Sequence, residues 1–218
     1  MPTETSFAAV LFDCDGVLVD SESIATRALH KSLQSVGVTL TEHEVAQQFT
    51  GHAWPRCIEM IEELIGQTLP DTFLADNRTY FESLMADALL PMPGVVELLD
   101  RLALPFAVVT NSRTQELAFK LGVSGLDRYF SGAQRFDAEA MGVAKPDPAI
   151  YRRSAERLGF DIKQCLIIED SYPGLVAATE SGATVWAYRP SATAEQLAQL
   201  SVTNVMTDWR EFPQLPER

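Results

Sequence analysis

Four short runs of the chain are apolar with little alternation: residues 8–12, 106–109, 165–168 and 184–188. Continuous apolar character, rather than an in–out pattern, marks strands covered on both faces, as in a parallel sheet. Between these runs apolar residues recur with helical spacing over about 94–102, 113–121, 147–158 and 172–181. Gly122, Gly159 and Gly182 fall where left-handed helix ends are expected. Strand and helix in alternation predict a doubly wound α/β domain.

One stretch departs from that alternation. From about residue 20 to 88 only helical periodicity is visible, over 22–36, 42–48, 56–64 and 71–88. A helical block between the first and second strands reads as an inserted all-helical cap, residues 20–88, in a core made of 1–19 and 89–218. Pro91-Met92-Pro93-Gly94 marks the return to the core. The tail beyond about 206 reads as a short helix or loop, and no internal repeat or low-complexity segment interrupts the pattern.

Composition narrows the partners. The chain has 218 residues, 46% apolar and 22% charged, and a net charge of −13 with a pI near 4.6. No Lys/Arg run is present, so nucleic acid and anionic membranes are excluded as partners. An acidic protein that handles an anion must concentrate positive charge locally, in a metal ion, a lysine or backbone amides. The three cysteines, Cys14, Cys57 and Cys165, match no metal pattern, and Cys14 and Cys165 lie in apolar stretches. They read as buried small hydrophobes of a reducing, cytoplasmic protein. The pattern shows no secretory leader, no apolar run of the ~18 residues needed to cross a membrane, and no apolar stripe requiring a second subunit, so a monomer is expected.

Open α/β sheets bind ligands beyond the carboxyl ends of their strands. After the first run stands Asp13-Cys14-Asp15-Gly16, after the second Thr110-Asn111-Ser112, and after 165–168 Glu169-Asp170-Ser171. Lys145-Pro146-Asp147-Pro148 opens the helix at 147–158. Taken singly, each has a plain explanation: Asp-x-Asp and Thr-Asn-Ser cap helices and turns, and Lys-Pro begins helices in solvent. Taken together, they bring carboxylates, hydroxyls and one Lys to a single edge of the sheet.

Their order resembles the haloacid dehalogenase superfamily, in the branch of β-phosphoglucomutase, phosphoglycolate phosphatase and small sugar-phosphate phosphatases. The matching segments are residues 12–22, from Phe12-Asp13-Cys14-Asp15-Gly16 to Ser21-Glu22, then Val109-Thr110-Asn111-Ser112, Lys145-Pro146-Asp147-Pro148 and Ile168-Glu169-Asp170-Ser171-Tyr172-Pro173-Gly174. The resemblance implies a Rossmann-like core and a Mg²⁺-dependent phosphatase acting on a small phosphorylated metabolite through an aspartyl phosphate on Asp13. Asp15 is then the general acid and base. Asp13, the backbone carbonyl of Asp15 and Asp170 are metal ligands, with Glu169 close by. Thr110, Asn111 and Ser112 bind the phosphoryl oxygens, and Lys145 neutralises charge and orients Asp13. A carboxylate is a suitable nucleophile because it is ionised near neutral pH without a base to activate it. Residues i and i+2 of an extended strand share a side, so Asp13 and Asp15 are expected to point the same way.

The cap loop from Phe49 to Arg56 holds the recognition candidates implied by the resemblance: Gly51, His52, Trp54 as a platform for a sugar face, and Arg56 as a partner for a second anion. Trp54 as a cap-core anchor and Arg56 as a solvated helix start fit the residues equally well. The runner-up enzyme is a phosphosugar mutase. β-Phosphoglucomutase carries a His in its first cap helix and a basic residue before the loop Gly, whereas this chain has Ala25 and Thr50, which favour transfer to water. A phosphoacceptor switch uses similar residues but needs no helical insertion. The resembling dehalogenases lack the second Asp and the metal.

Overall fold

The computed structural model describes residues 7–50, 52 and 54–213. Its centre is a parallel sheet of β1 (Ala9–Phe12), β2 (Phe106–Thr110), β3 (Arg135–Asp137), β4 (Cys165–Glu169), β5 (Thr184–Tyr188) and β6 (Asn204–Met206), in the order β3-β2-β1-β4-β5-β6. The chain runs outward from β1 through β2 to β3, then crosses to the other side of β1 and runs outward again. Leu11 pairs with Ala107 on one side and Ile167 on the other. The reversal therefore falls between β1 and β4, where a doubly wound sheet opens a crevice at the carboxyl ends of its strands.

The chain divides into two compact units, Met1–Asp20 with Leu90–Arg218, and Ser21–Leu89. In the second lie α1 (Ser21–Ser35), α2 (Glu42–Phe49), α3 (Trp54–Ile65) and α4 (Phe73–Ala88). Thr41 and Glu44 start α2 with a reciprocal capping box, which satisfies two otherwise orphaned amides. Leu29, Leu33, Val45, Phe49, Ile61 and Phe73 form the core of this unit. A buried hydrogen bond, from Asn77 Nδ2 on α4 to Ser32 Oγ on α1 at 3.0 Å, crosses it.

The first unit adds α5 (Val95–Arg101), α6 (Thr114–Val123), α7 (Ala138–Met141), α8 (Ala149–Leu158), α9 (Tyr172–Ser181) and α10 (Ala194–Ala198). One sheet face, with Leu11, Val109, Ile167 and Val185, packs on Ile150, Tyr151, Leu175 and Ala178. Phe12 instead meets Phe106 and Trp209 edge-on, and Trp209 stacks on Tyr188 at 4.5 Å. Both faces are covered, as continuous apolar strands require.

Several elements differ from the sequence expectation. β3 and β6 are three-residue strands without an apolar run: Arg135 and Asp137 flank a single Phe, and Asn204 and Val205 are exposed. Residues 204–206 thus extend the sheet. Gly122 lies inside α6, and the left-handed residue beyond that helix is Gly125 (φ +71°), whereas Gly159 and Gly182 do end their helices in that conformation. No helix among the described residues is long and apolar enough to cross a membrane.

Candidate active site

β1 stops at Phe12, and the next residue, Asp13, donates its backbone N–H to Ile168 O on β4 at 2.9 Å. Asp13 is thereby fixed at the reversal of strand order, with its side chain buried. Lys145 Nζ donates to Asp13 Oδ1 and, at 2.6 Å, to Glu169 Oε1. Lys145 is held in turn by Asn111, directly after β2. The Asn111 amide donates to Lys145 O at 3.0 Å and accepts from Lys145 N–H at 2.8 Å. The loop after one strand thus positions the cation that serves the ends of two others.

Glu169, the last residue of β4, is fully enclosed. Its Oε2 accepts from the N–H groups of Asp170 (2.7 Å) and Ser171 (2.8 Å) and from Ser171 Oγ (3.1 Å). Its Oε1 accepts from Lys145 and, at 3.3 Å, from the Tyr151 hydroxyl. The Asp170 and Ser171 donors lie at the start of α9, where an anion is favoured by the free amides and the helix dipole. Two glycines make the arrangement possible. A Cβ on Gly174 would overlap the Glu169 carboxylate, and one on Gly16 would overlap that of Asp170. Gly16 also has φ +76°, a left-handed conformation that favours glycine.

Asp13, Glu169 and Asp170 each bring an oxygen to one buried group, all within 4.8 Å of one another. The Lys145 ammonium pairs with two of them, Asp13 and Glu169. Burial pushes the Asp13 carboxyl up to about 7; Lys145 pulls it down, while Glu169 and Asp15 raise it further. Lys145, serving two carboxylates, is held well above its ordinary value despite its own burial. An excess of buried carboxylates offering only oxygen suits a hard divalent cation such as Mg²⁺.

The Asp15 carboxylate is not in this group. The segment after Asp13 folds back, with the N–H groups of Leu18 and Val19 both donating to Cys14 O and that of Gly16 to Val19 O. Asp13 and Asp15 therefore do not share one side of an extended strand, as their spacing suggests. Asp15 Oδ2 meets Lys120 Nζ at 2.7 Å and Ser112 Oγ at 3.4 Å. Ser112 is buried against both, and its N–H donates to Thr110 Oγ1 at 3.1 Å. Cys14, Cys57 and Cys165 are buried free thiols, and burial raises the Cys14 thiol well above its usual value, which leaves it inert.

Within the helical unit a cavity of about 560 Å³ is lined by Phe49, Thr50, His52, Trp54, Asn77 and Arg78, among others. Ala25 lies on the same wall. Gly51 lies outside the described residues. Arg56 does not line the cavity; it is exposed on α3 and pairs with Glu59 at 3.0 Å. Trp54, at the start of α3, is 42% exposed. Sequence reasoning passed over Lys120, Tyr151 and Arg78. All three sit within helical periodicity, where a long polar side chain signals solvent, and no motif flags them.

Residues 7–182 match the model of a family described as haloacid dehalogenase-like hydrolase. The chain is 28% identical to the 6-phosphogluconate phosphatase of Escherichia coli K12, over 96% of this chain and 93% of the relative. It is 27% identical to a phosphoglycolate phosphatase of Haemophilus influenzae, over 83% and 85% of the two chains. A haloacid dehalogenase family hydrolase from Deinococcus radiodurans, solved with bound phosphate and sodium, superimposes with a TM-score of 0.84 at 32% identity, covering 95% of this chain and 93% of that one. A putative β-phosphoglucomutase from Thermotoga maritima, at 24% identity and a TM-score of 0.73 over 91% and 93% of the two chains, shares the fold.

Proposed function

The chain belongs to the haloacid dehalogenase-like hydrolases, and from that membership we propose that it is a Mg²⁺-dependent phosphatase of small phosphomonoesters, of the sugar-phosphate or phosphoglycolate type. The observation that carries this reading is the buried group of Asp13, Glu169 and Asp170 at the carboxyl edge of the sheet, with Lys145 paired to Asp13 and Glu169. The phosphatase names of the relatives from E. coli and H. influenzae, and the phosphate in the Deinococcus structure, support it.

In this reading an oxygen of ionised Asp13 attacks phosphorus, and the bond from phosphorus to the ester oxygen breaks. The departing oxygen takes a proton from Asp15. Water then gives a proton to Asp15 and attacks phosphorus, the bond to Asp13 breaks, and inorganic phosphate leaves. Lys145 orients Asp13 throughout, and Thr110 with the backbone N–H of Asn111 holds the phosphoryl oxygens, Ser112 lying beside them. Asp13, Asp170 and the Asp15 carbonyl would hold the cation, which when bound offsets repulsion between the phosphoryl oxygens and Asp13. His52 and Trp54, with their cavity in the helical unit, are the substrate-recognition residues of the proposal.

The test is a panel of sugar phosphates, phosphoglycolate and other small phosphomonoesters, with inorganic phosphate read in the presence of Mg²⁺. Acid quenching within one turnover of ³²P-labelled substrate should trap phosphorus on Asp13. Phosphate release without any trapped phosphoenzyme would mean direct attack by water, and an inactive panel would remove the phosphatase reading.

A further inference from the structure

We propose that Lys120 is the positioning residue of the acid–base carboxylate, fixing which oxygen of Asp15 handles the proton; this rests on the reading of Asp15 given above. Lys120 belongs to the last turn of α6, a place where lysines usually reach into solvent. Here it is 3% exposed. Its ammonium donates to Asp15 Oδ2 at 2.7 Å and to Ser112 Oγ at 2.8 Å, and pairs with Glu116 Oε1 at 2.7 Å. The ammonium thus bridges the loops after β1 and β2.

Both contacts made to the Asp15 side chain fall on one oxygen. Oδ2 takes Lys120 and Ser112, while Oδ1 has no hydrogen-bond partner among the described residues. The side chain is 36% exposed. A carboxyl that must hand a proton to a leaving oxygen, and later take one from water, needs one oxygen anchored and the other open. Lys120 and Ser112 supply the anchor, and Oδ1 is left as the working atom. Glu116 lies on the outer side of the ammonium, with its side chain 48% exposed, and serves only to balance charge.

Steady-state kinetics of variants test this. Lys120→Met should lower kcat by about 100-fold, the scale expected when a catalytic group is misplaced by about 1 Å, with KM little changed. Lys120→Arg should recover much of that loss. Glu116→Gln should leave kcat as it is. The deciding measurement is a double variant: in an Asp15→Asn background, Lys120→Met should cost nothing further, because the side chain it positions no longer works. The same fold-loss in both backgrounds, or a loss confined to KM, would overturn the proposal while leaving Asp15 its role. Undiminished turnover in Asp15→Asn alone would overturn both. Should Lys120→Met fail to fold, Ser112→Ala removes the second anchor and must show the same dependence on Asp15.

Discussion

At the sheet edge each carboxylate of the acidic group is buried, and Glu169 alone accepts from Lys145, Tyr151, Asp170 and Ser171. In the helical unit the cavity has an apolar lining, a half-exposed Trp54 and a surface-paired Arg78. The first region is over-determined: moving one group strands another in a dry environment, where an unpaired charge is costly. The second is more loosely determined, with Trp54 and Arg78 at the surface and Asn77 as its buried, hydrogen-bonded residue. A site of fixed chemistry needs the first kind of construction, and a surface that distinguishes organic groups tolerates the second. The two regions should therefore respond to substitution in different quantities, kcat for one and KM for the other.

The sharpest form of the contrast is Asp13→Asn. The amide keeps the shape but cannot become the acyl phosphate, so kcat should fall by at least about 10,000-fold, the scale of removing a covalent nucleophile. Thermal stability should hold or rise, since a buried charge is removed. Retention of even a hundredth of wild-type turnover would place the nucleophile elsewhere.

Metal removal and pH probe the same cluster through stability. The folded value of Asp13, about 7, lies above its ordinary 3.8. Between these values the folded state binds the extra proton, so the stabilisation is complete below about pH 4 and is lost as pH rises through about 7. At about 1.4 kcal/mol per pKa unit, this group accounts for a few kcal/mol at most. The thermal midpoint of protein stripped with EDTA should fall over that window, and the fall should be reduced in Asp13→Asn. Mg²⁺ should stabilise more at pH 8 than at pH 5, because its ligands must be deprotonated. Equal slopes in wild type and Asp13→Asn would show that the cluster is not the source.

In the helical unit the comparable buried polar contact is Asn77 to Ser32. Ser32→Ala should cost about 1–3 kcal/mol, because the Asn77 amide loses its acceptor inside the core. Chemical denaturation measures this, and kcat under conditions where the variant is folded should be unchanged.

Sequence made some of this legible and concealed the rest for definite reasons. β1, β2, β4 and β5 stand out because strands covered on both faces must be apolar throughout. β3 and β6 escape the same rule because each is only three residues long and mixes polar with apolar residues, so neither makes an apolar run. The edge where Asp13, Lys145, Glu169 and Asp170 meet follows from chain order together with the rule that open sheets bind at strand ends. What the spacing could not give is side-chain direction. Asp-x-Asp suggests two carboxylates side by side, yet the turn at Gly16 sends Asp13 toward Lys145 and Asp15 toward Lys120. Nor does a lysine inside a helical pattern announce that it is buried, since that depends on loops about a hundred residues away in sequence.

The smallest effect is expected at Trp54. It opens α3 beside the cavity, and nearly half of its surface meets solvent. If it packs on the organic part of the substrate, Trp54→Ala removes contacts made equally in ground state and transition state. Such uniform binding raises KM and leaves kcat unchanged. Loss of a partly exposed apolar contact in a pocket corresponds to about 10-fold, so KM should rise by that order for the best substrate of the panel. It should rise less for phosphoglycolate, whose organic part is too small to cover an indole face. A Trp54→Ala variant with lower kcat and unchanged KM would move this side chain into the chemistry and break the division between the two regions. A KM unchanged for every substrate would leave Trp54 as a structural residue of the helical unit and shift recognition to the other lining residues, His52 and Arg78 first.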